Sequence, residues 1–306
     1  MLLSIIIPTK EREDILFLTL ENVCRAVKNI ETEIIVVNDS KKSSPHLGEN
    51  YSAIKLLQNP KSGVASARNI GASVAQAELL IFLDDDMLVS EENISTAIEL
   101  IEKFPAAAIN LNWTYPAELL NKIKVTSFGR YLIKNGFTAL KGWNKNSYWN
   151  DVSIFESKGI TSQFLIIKKS DFLKSNGYNE HFPFAGFEDY DFNQRLKRSG
   201  LKTYIYPLST ALHNEVDRIN PGPWMERKVR TGVTRRKAVE QGYPELKISH
   251  NKLKHLTYIL LVGCKPVLFF LAGMIPNHPT FDFVYFRLTN LLLGTSLFEG
   301  YHKKVH

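Results

Sequence analysis

The chain has 306 residues, 44% hydrophobic and 23% charged, enough for one large or two modest domains and too apolar for a disordered chain. Its two cysteines, Cys24 and Cys264, lie in unrelated settings, which excludes a disulfide scaffold and suits a reducing compartment. The net charge of +7 is uneven: positions 218–306 hold 14 Lys/Arg against 5 Asp/Glu, so a basic surface suited to phosphate-rich or anionic partners belongs to the C-terminal third.

The N-terminal MLLSIIIPTK lacks a basic region and a cleavage site, so it reads as a first core strand (3–7) and not as a signal peptide. Apolar residues at helical spacing (Ile15, Leu18, Val23, Val27) predict a helix over 14–27. EIIVV at 33–37 is a second strand, ending in Asn38, Asp39 and Ser40, and 53–57 is a short third one. After Ser62-Gly63 a helix is predicted over 64–77, then a fully apolar strand at 79–83. A helix over 91–103, capped by Ser90 and stopped by Pro105, and a strand at 107–113 follow. This β-α-β succession predicts a doubly wound, mostly parallel sheet. Residues 116–158 show only weak patterning, as functional loops do. Strand 162–167, a short helix at 170–175, helix 188–198 closed by Gly200, and extended pieces at 202–206 and 210–212 complete the α/β part. A basic helical segment covers 224–241. Two apolar stretches, 256–275 and 281–298, flank a turn at Pro276–Pro279.

The chemistry concentrates where strands end. Asp84, Asp85 and Asp86 follow the apolar strand at once, and three adjacent carboxylates repel one another unless a cation sits among them. In open α/β sheets ligands bind beyond the carboxyl ends of the strands. A divalent-metal site holding a phosphate-bearing substrate is therefore expected there. Asp39, at the end of the second strand, is placed to accept a hydrogen bond from a base or a ribose. Gly63 lets a ligand approach the backbone at the start of a helix, and Arg68, one turn further in, is placed to reach a diphosphate or to pair with Asp84 or Asp86. Glu188 and Asp189 open a helix after an aromatic and glycine turn, where a general base or simple charge matching to the helix end are both consistent with the pattern. His213 is a candidate metal ligand or a structural imidazole.

Taken together, SIIIPTKER (4–12), EIIVVNDS (33–40), GVASARNIG (63–71), FLDDD (82–86) and GFEDYDFNQRL (186–196) resemble, in order and spacing, the family 2 inverting glycosyltransferases with the GT-A fold, over about residues 1–215. The resemblance implies a metal-dependent enzyme moving one sugar from a nucleotide-diphosphate sugar, UDP above all, to an acceptor hydroxyl on a lipid-linked or surface glycan, as in polysaccharide biosynthesis. It implies that Pro8 and Thr9 lie along the nucleotide, that Asp39 meets the base, and that Gly63 and Arg68 border base and diphosphate. Asp84 and Asp85 then belong with the sugar nucleotide, and Asp84, Asp86 and, more loosely, His213 with Mn²⁺ or Mg²⁺. Asp189, with Glu188 beside it, is the implied catalytic base. Met87 stands where many members have a further Asp. Gln194-Arg195-Leu196 lacks the Q-x-x-R-W of the processive synthases, so one sugar per encounter is expected.

The implied division is a catalytic domain over 1–217, with a nucleotide-sugar half to about 115 and an acceptor half beyond it, and a basic, apolar helical region over 218–306. Window 256–275 gains about 5 kcal/mol on membrane insertion and loses about 3 to its central Lys265. Pro266 weakens a continuous span further. Amphipathic or re-entrant helices in peripheral contact at the cytoplasmic face of the membrane are the expectation, against packing on the protein itself in a cytoplasmic enzyme. Two other functional classes fit the sequence less well. A nucleotidyltransferase would want a glycine-rich phosphate loop after the first strand, and 4–12 has no glycine. A nucleotide-sugar-binding protein without turnover would not need both acidic pairs. Nucleic-acid binding is not expected, since no recognition module accompanies the basic residues.

Overall fold

The computed structural model describes residues 3–143 and 148–303. Two units emerge. The first comprises 1–115, 139–183 and 188–214, and the second 116–138, 184–187 and 215–306.

The first unit is a nine-stranded mixed sheet flanked by helices. Its strands are β1 (Leu3–Thr9), β2 (Thr32–Asn38), β3 (Lys55–Gln58), β4 (Leu79–Leu83), β5 (Met87–Leu88), β6 (Ala107–Thr114), β7 (Phe155–Glu156), β8 (Phe164–Lys168) and β9 (Lys202–His213). The helices are α1 (Glu13–Ala26), α2 (Val64–Val74) and α3 (Glu91–Lys103), then α6 (Leu140–Trp143), α7 (Lys169–Lys174) and α8 (Glu188–Arg198). The spatial order is β3-β2-β1-β4-β8-β6-β9-β5, with β7 on β9. The mostly parallel sheet expected from sequence is therefore corrected. β8 runs antiparallel between β4 and β6, and β5 and β7 run antiparallel to β9. Two reversals at β8 restore the direction, so β1, β2, β3, β4, β6 and β9 all end on the same edge. That edge carries the chemistry.

Strand alternation sets the core. Ile6, Ile35, Phe82 and Leu165 stand in register on one face and meet Phe172 of α7 and Phe192 of α8. Ile5 and Ile7, pointing to the other face, are fully buried too, so the sheet is covered on both sides. Gly71 lies where α2 crosses β1, and a Cβ there would strike Ile6 Cγ2. Replacing Gly71 by Ala is expected to destabilise the protein by about 1–3 kcal/mol through overpacking, read by urea denaturation. The two extended pieces expected at 202–212 form one strand. The register of β6 on β9 shifts where Pro207, which has no N–H to donate, interrupts the ladder.

The second unit is helical: α4 (Ala117–Ile123), α5 (Ser127–Lys134), α9 (Pro221–Glu240), α10 (Lys252–Gly263), α11 (Lys265–Met274) and α12 (Asp282–His302). Segment 116–143, expected to be irregular, holds α4, α5 and α6. Its core gathers Tyr131, Trp224, Met225, Leu268, Phe286 and Leu292. Trp224 is packed edge-on against Phe128 and Tyr131. α9 and α12 touch backbone to backbone at Gly232 and Gly300, where a Cβ on Gly300 would collide with the Val229 carbonyl. The apolar window 256–275 is not one helix. α10 and α11 meet at a 70° bend, and no single described helix is long and apolar enough to cross a membrane.

Candidate active site

The aspartate run turns sharply after β4, with Met87 N–H donating to the Asp84 carbonyl at 3.1 Å. Its carboxylates then meet two arginines, Arg12 at Asp85 and Asp86 and Arg68 at Asp84. Asp85 is buried, accepting from Thr9 Oγ1 at 2.7 Å and from Arg12 Nη1 at 2.5 Å, while Thr19 holds its carbonyl. Thr9 and Asp85, both expected along the donor, are thus joined to each other, and Pro8 is buried in β1 opposite Val37. Arg12 was part of a motif in the sequence but carried no assigned role. It also donates Nη2 to Asp86 Oδ2 at 2.7 Å, which offsets the charge of two of the three aspartates.

Asp86 is fully buried, and its Oδ1 lies 3.1 Å from Nε2 of His213. The juxtaposition follows from topology: Met87 of β5 pairs with His213 at the end of β9, and Asn214 N–H donates to the Asp86 carbonyl. Met87 itself is a buried strand residue. Trp113 stands edge-on to the imidazole with centroids 4.7 Å apart. A carboxylate and an imidazole at this spacing form a donor set suited to a divalent ion of the Mn²⁺ class. Glu215, two residues beyond His213 and also buried, is the next carboxylate along the chain and was not singled out from sequence.

Asp84 is the most open of the three aspartates, its side chain 26% exposed. Arg68, itself buried, donates Nη2 to Asp84 Oδ1 at 3.0 Å and Nη1 to Glu188 Oε1 at 3.2 Å. One guanidinium therefore ties the aspartate run to the Glu188-Asp189 pair. Burial works against the charge on Arg68, but Asp84, Tyr178, Asp189 and Glu188 outweigh it and hold its pKa above the ordinary value. The guanidinium also lies over the Tyr178 ring, 5.1 Å from its centroid.

Asp189, in the first turn of α8, accepts at Oδ2 from the Ser162 N–H and hydroxyl at 3.2 and 3.3 Å. Its Oδ1 is buried and makes no hydrogen bond among the described residues. Burial, with Glu188 and Asp84 adding to it against Arg68 and the Ser162 hydrogen bond, pushes this carboxyl up to about 8. A carboxyl of raised pKa with an oxygen free of hydrogen bonds is suited to exchange a proton close to neutral pH. α8 is held in place by Arg195, which pairs with Asp191 at 2.8 Å and caps the Ser175 and Gly177 carbonyls.

Asp39 lies at the edge of this group. It accepts from Gly63 N–H at 2.8 Å and Asn59 Nδ2 at 2.7 Å on Oδ1, and from Lys10 Nζ at 3.2 Å on Oδ2. It thereby shapes the turn into α2, where Gly63 takes φ of 122°, a conformation open to glycine.

Residues 4–155 match the model of Glycosyl transferase family 2, and residues 154–218 match that of the N-terminal domain of galactosyltransferase. An uncharacterized glycosyltransferase of Haemophilus influenzae is 28% identical over 199 residues, covering 64% of this chain and 62% of its own. An inactive polypeptide N-acetylgalactosaminyltransferase-like protein 5 of Mus musculus is 24% identical over 205 residues, 60% of this chain and 45% of its own. The chain thus spans less than two thirds of the length of these relatives. A mannosyltransferase from Pyrobaculum calidifontis, solved in complex with GDP-Man and Mn²⁺, shares the fold with a TM-score of 0.59 at 13% identity, over 99% of this chain and 88% of that one. Residues 4–155 thus match glycosyl transferase family 2, and the α/β fold of the chain is GT-A-like.

Proposed function

We propose that this protein transfers one sugar from a nucleotide-diphosphate sugar to an acceptor hydroxyl, with inversion at the anomeric carbon. The observation that carries this reading is the sharing of Arg68 between Asp84 and Glu188, which brings the aspartate run and the Glu188-Asp189 pair to one edge of the sheet. Asp86 and His213, 3.1 Å apart, would hold the metal, Mn²⁺ or Mg²⁺. When bound, the metal supplies countercharge for the departing diphosphate. Asp39 and Gly63 face the base, and Arg68 and Asp84 border the diphosphate side. Asp189 takes the proton of the acceptor hydroxyl through Oδ1 as the new bond forms. One carboxylate base and no covalent intermediate give inversion. The donor is a UDP-sugar before a GDP- or dTDP-sugar. The acceptor is a lipid-linked or surface glycan, met at the cytoplasmic face of the membrane. Arg195 is spent on fixing α8 and is part of no Q-x-x-R-W motif, so a single addition per encounter is the reading for elongation too.

The test is hydrolysis of UDP-, GDP- and dTDP-sugars without acceptor, with Mn²⁺ and with chelator. Slow, metal-dependent release of one nucleoside diphosphate is expected. Asp86→Asn should weaken Mn²⁺-dependent donor binding, measured by calorimetry, by on the order of 10–100-fold. No release from any donor, together with no metal-dependent binding, would refute the reading. Binding without release would leave a donor-binding protein.

A further inference from the structure

The helices of the second unit are apolar on more faces than their core can use. On α11, Leu268 and Ala272 turn inward to the core while Phe270 and Met274 stand 66% and 65% exposed. α10 contributes Leu256 and Leu260, and the first turn of α12 contributes Phe283 and Val284, all more than half exposed. Half of the exposed large apolar side chains among the described residues fall between 253 and 284, so this is a patch and not ordinary surface scatter.

The charges around the patch have one sign. Between 247 and 303 the chain has two acids, Asp282 and Glu299, and each is tied down at 2.7 Å, by Arg130 and Lys265 respectively. Lys252, Lys254 and Arg287 are exposed, the last with its guanidinium 5.1 Å from the Phe283 ring. An apolar face rimmed by cations with no unpaired carboxylate is complementary to a surface that is apolar within and anionic at its rim. That describes a bilayer containing anionic lipid. A second copy of this chain fits less well, because a two-fold contact would set the same cations against one another.

The geometry also favours lying over crossing, because the 70° bend keeps the lengths of α10 and α11 from adding along one axis. α10 and α11, of 12 and 10 residues, are about 18 and 15 Å long against a hydrocarbon core of about 30 Å. Their bend is fastened to the body of the unit through Lys265 and Glu299. We propose that the outward face of α10, α11 and the start of α12 docks this protein monotopically onto an anionic bilayer, without spanning it. The docking rests on the transferase reading only for its purpose, which is to hold the site at the surface where a lipid-linked acceptor lies.

The test is flotation of the full chain with phosphatidylcholine vesicles and with vesicles in which about one third of the lipid is phosphatidylglycerol. Binding to the anionic vesicles that weakens with salt is expected. The double variant Phe270→Glu, Met274→Glu should bind at least tenfold less, and Lys252→Glu, Lys254→Glu, Arg287→Glu should lose the preference for anionic lipid. Both keep metal-dependent donor hydrolysis, measured on the same preparations, so failure to dock is read separately from failure of the transferase reading. A chain that floats with neither vesicle, or binds both equally and regardless of Phe270→Glu, Met274→Glu, overturns the proposal. So does a dimer in solution that those substitutions dissociate, which would assign the face to a second copy.

Discussion

Replacing Asp189 by Asn is expected to lower turnover by about 10²–10⁴-fold while leaving nucleotide-sugar affinity nearly unchanged, because a positioned base acts only as the acceptor proton moves. The substitution preserves shape and keeps an acceptor for the Ser162 donors. A folded, donor-binding, slow enzyme is therefore the outcome, checked by single-turnover transfer together with equilibrium donor binding. The pH profile carries the same signature. With the carboxyl pushed up to about 8, the base is protonated below that pH, and kcat/KM should fall about tenfold per unit on the acid side. For stability the sign is opposite to the usual carboxylate. An unfolded Asp titrates near 3.9, so the native state holds this proton more tightly, and stability falls as pH rises from about 4 to about 8. Asp189→Asn should remove that decline, so thermal melts from acid to neutral pH separate loss of a base from loss of fold. Near-wild-type turnover in Asp189→Asn would shift the role to Glu188 or end the mechanism.

Arg68→Met is expected to be the most destabilising single substitution in the first unit. It leaves the buried Glu188 and the partly buried Asp84 without their shared countercharge. Breaking a buried pair by removing one partner costs about 3–5 kcal/mol. Arg68→Lys should recover little, since an ammonium on a flexible stem cannot replace a planar fork that reaches two carboxylates. The double variant Arg68→Met, Glu188→Gln should recover part of the loss, because it removes one stranded charge. Denaturant unfolding of the parent, Arg68→Met, Glu188→Gln and the double variant closes the cycle. An Arg68→Met protein as stable as the parent would show that the network contributes nothing to the fold.

Some of this was legible before any coordinates. Runs such as Ile5–Ile7 and Leu79–Leu83 are strands because nothing else that short and apolar is buried on both faces, and the acids at their ends mark the crevice. Ser90 caps α3 as read, with Asn93 closing a reciprocal capping box. That Arg68 pairs with Asp84 was among the readings open to sequence. That Glu188 shares it was not, since 120 residues separate the two. The direction of β8 has no local mark, because a strand buried on both faces looks the same whichever way it runs, and so sequence alone predicts a mostly parallel sheet. α4 and α5 are too short, at 7 and 8 residues, for periodicity to stand out. The family resemblance implied that Asp86 and His213 share a site, but the two-residue strand that joins them, β5, is too short to leave a pattern of its own.

The chain passes between its two units five times, and two of those passages fall at 187/188, directly before Glu188, and at 214/215, directly after His213 and Asn214. Chain order and unit membership are therefore interleaved, which has a consequence for protein engineering and for how such enzymes diverge. A graft joined at a single point near residue 215 would exchange only 215–306 and leave 116–138 and 184–187 behind, matched to a different set of helices. A chimera that exchanges the second unit whole needs all three segments in concert. Recombination that respects the fold must preserve the short stretch 184–187 as carefully as the long C-terminal one.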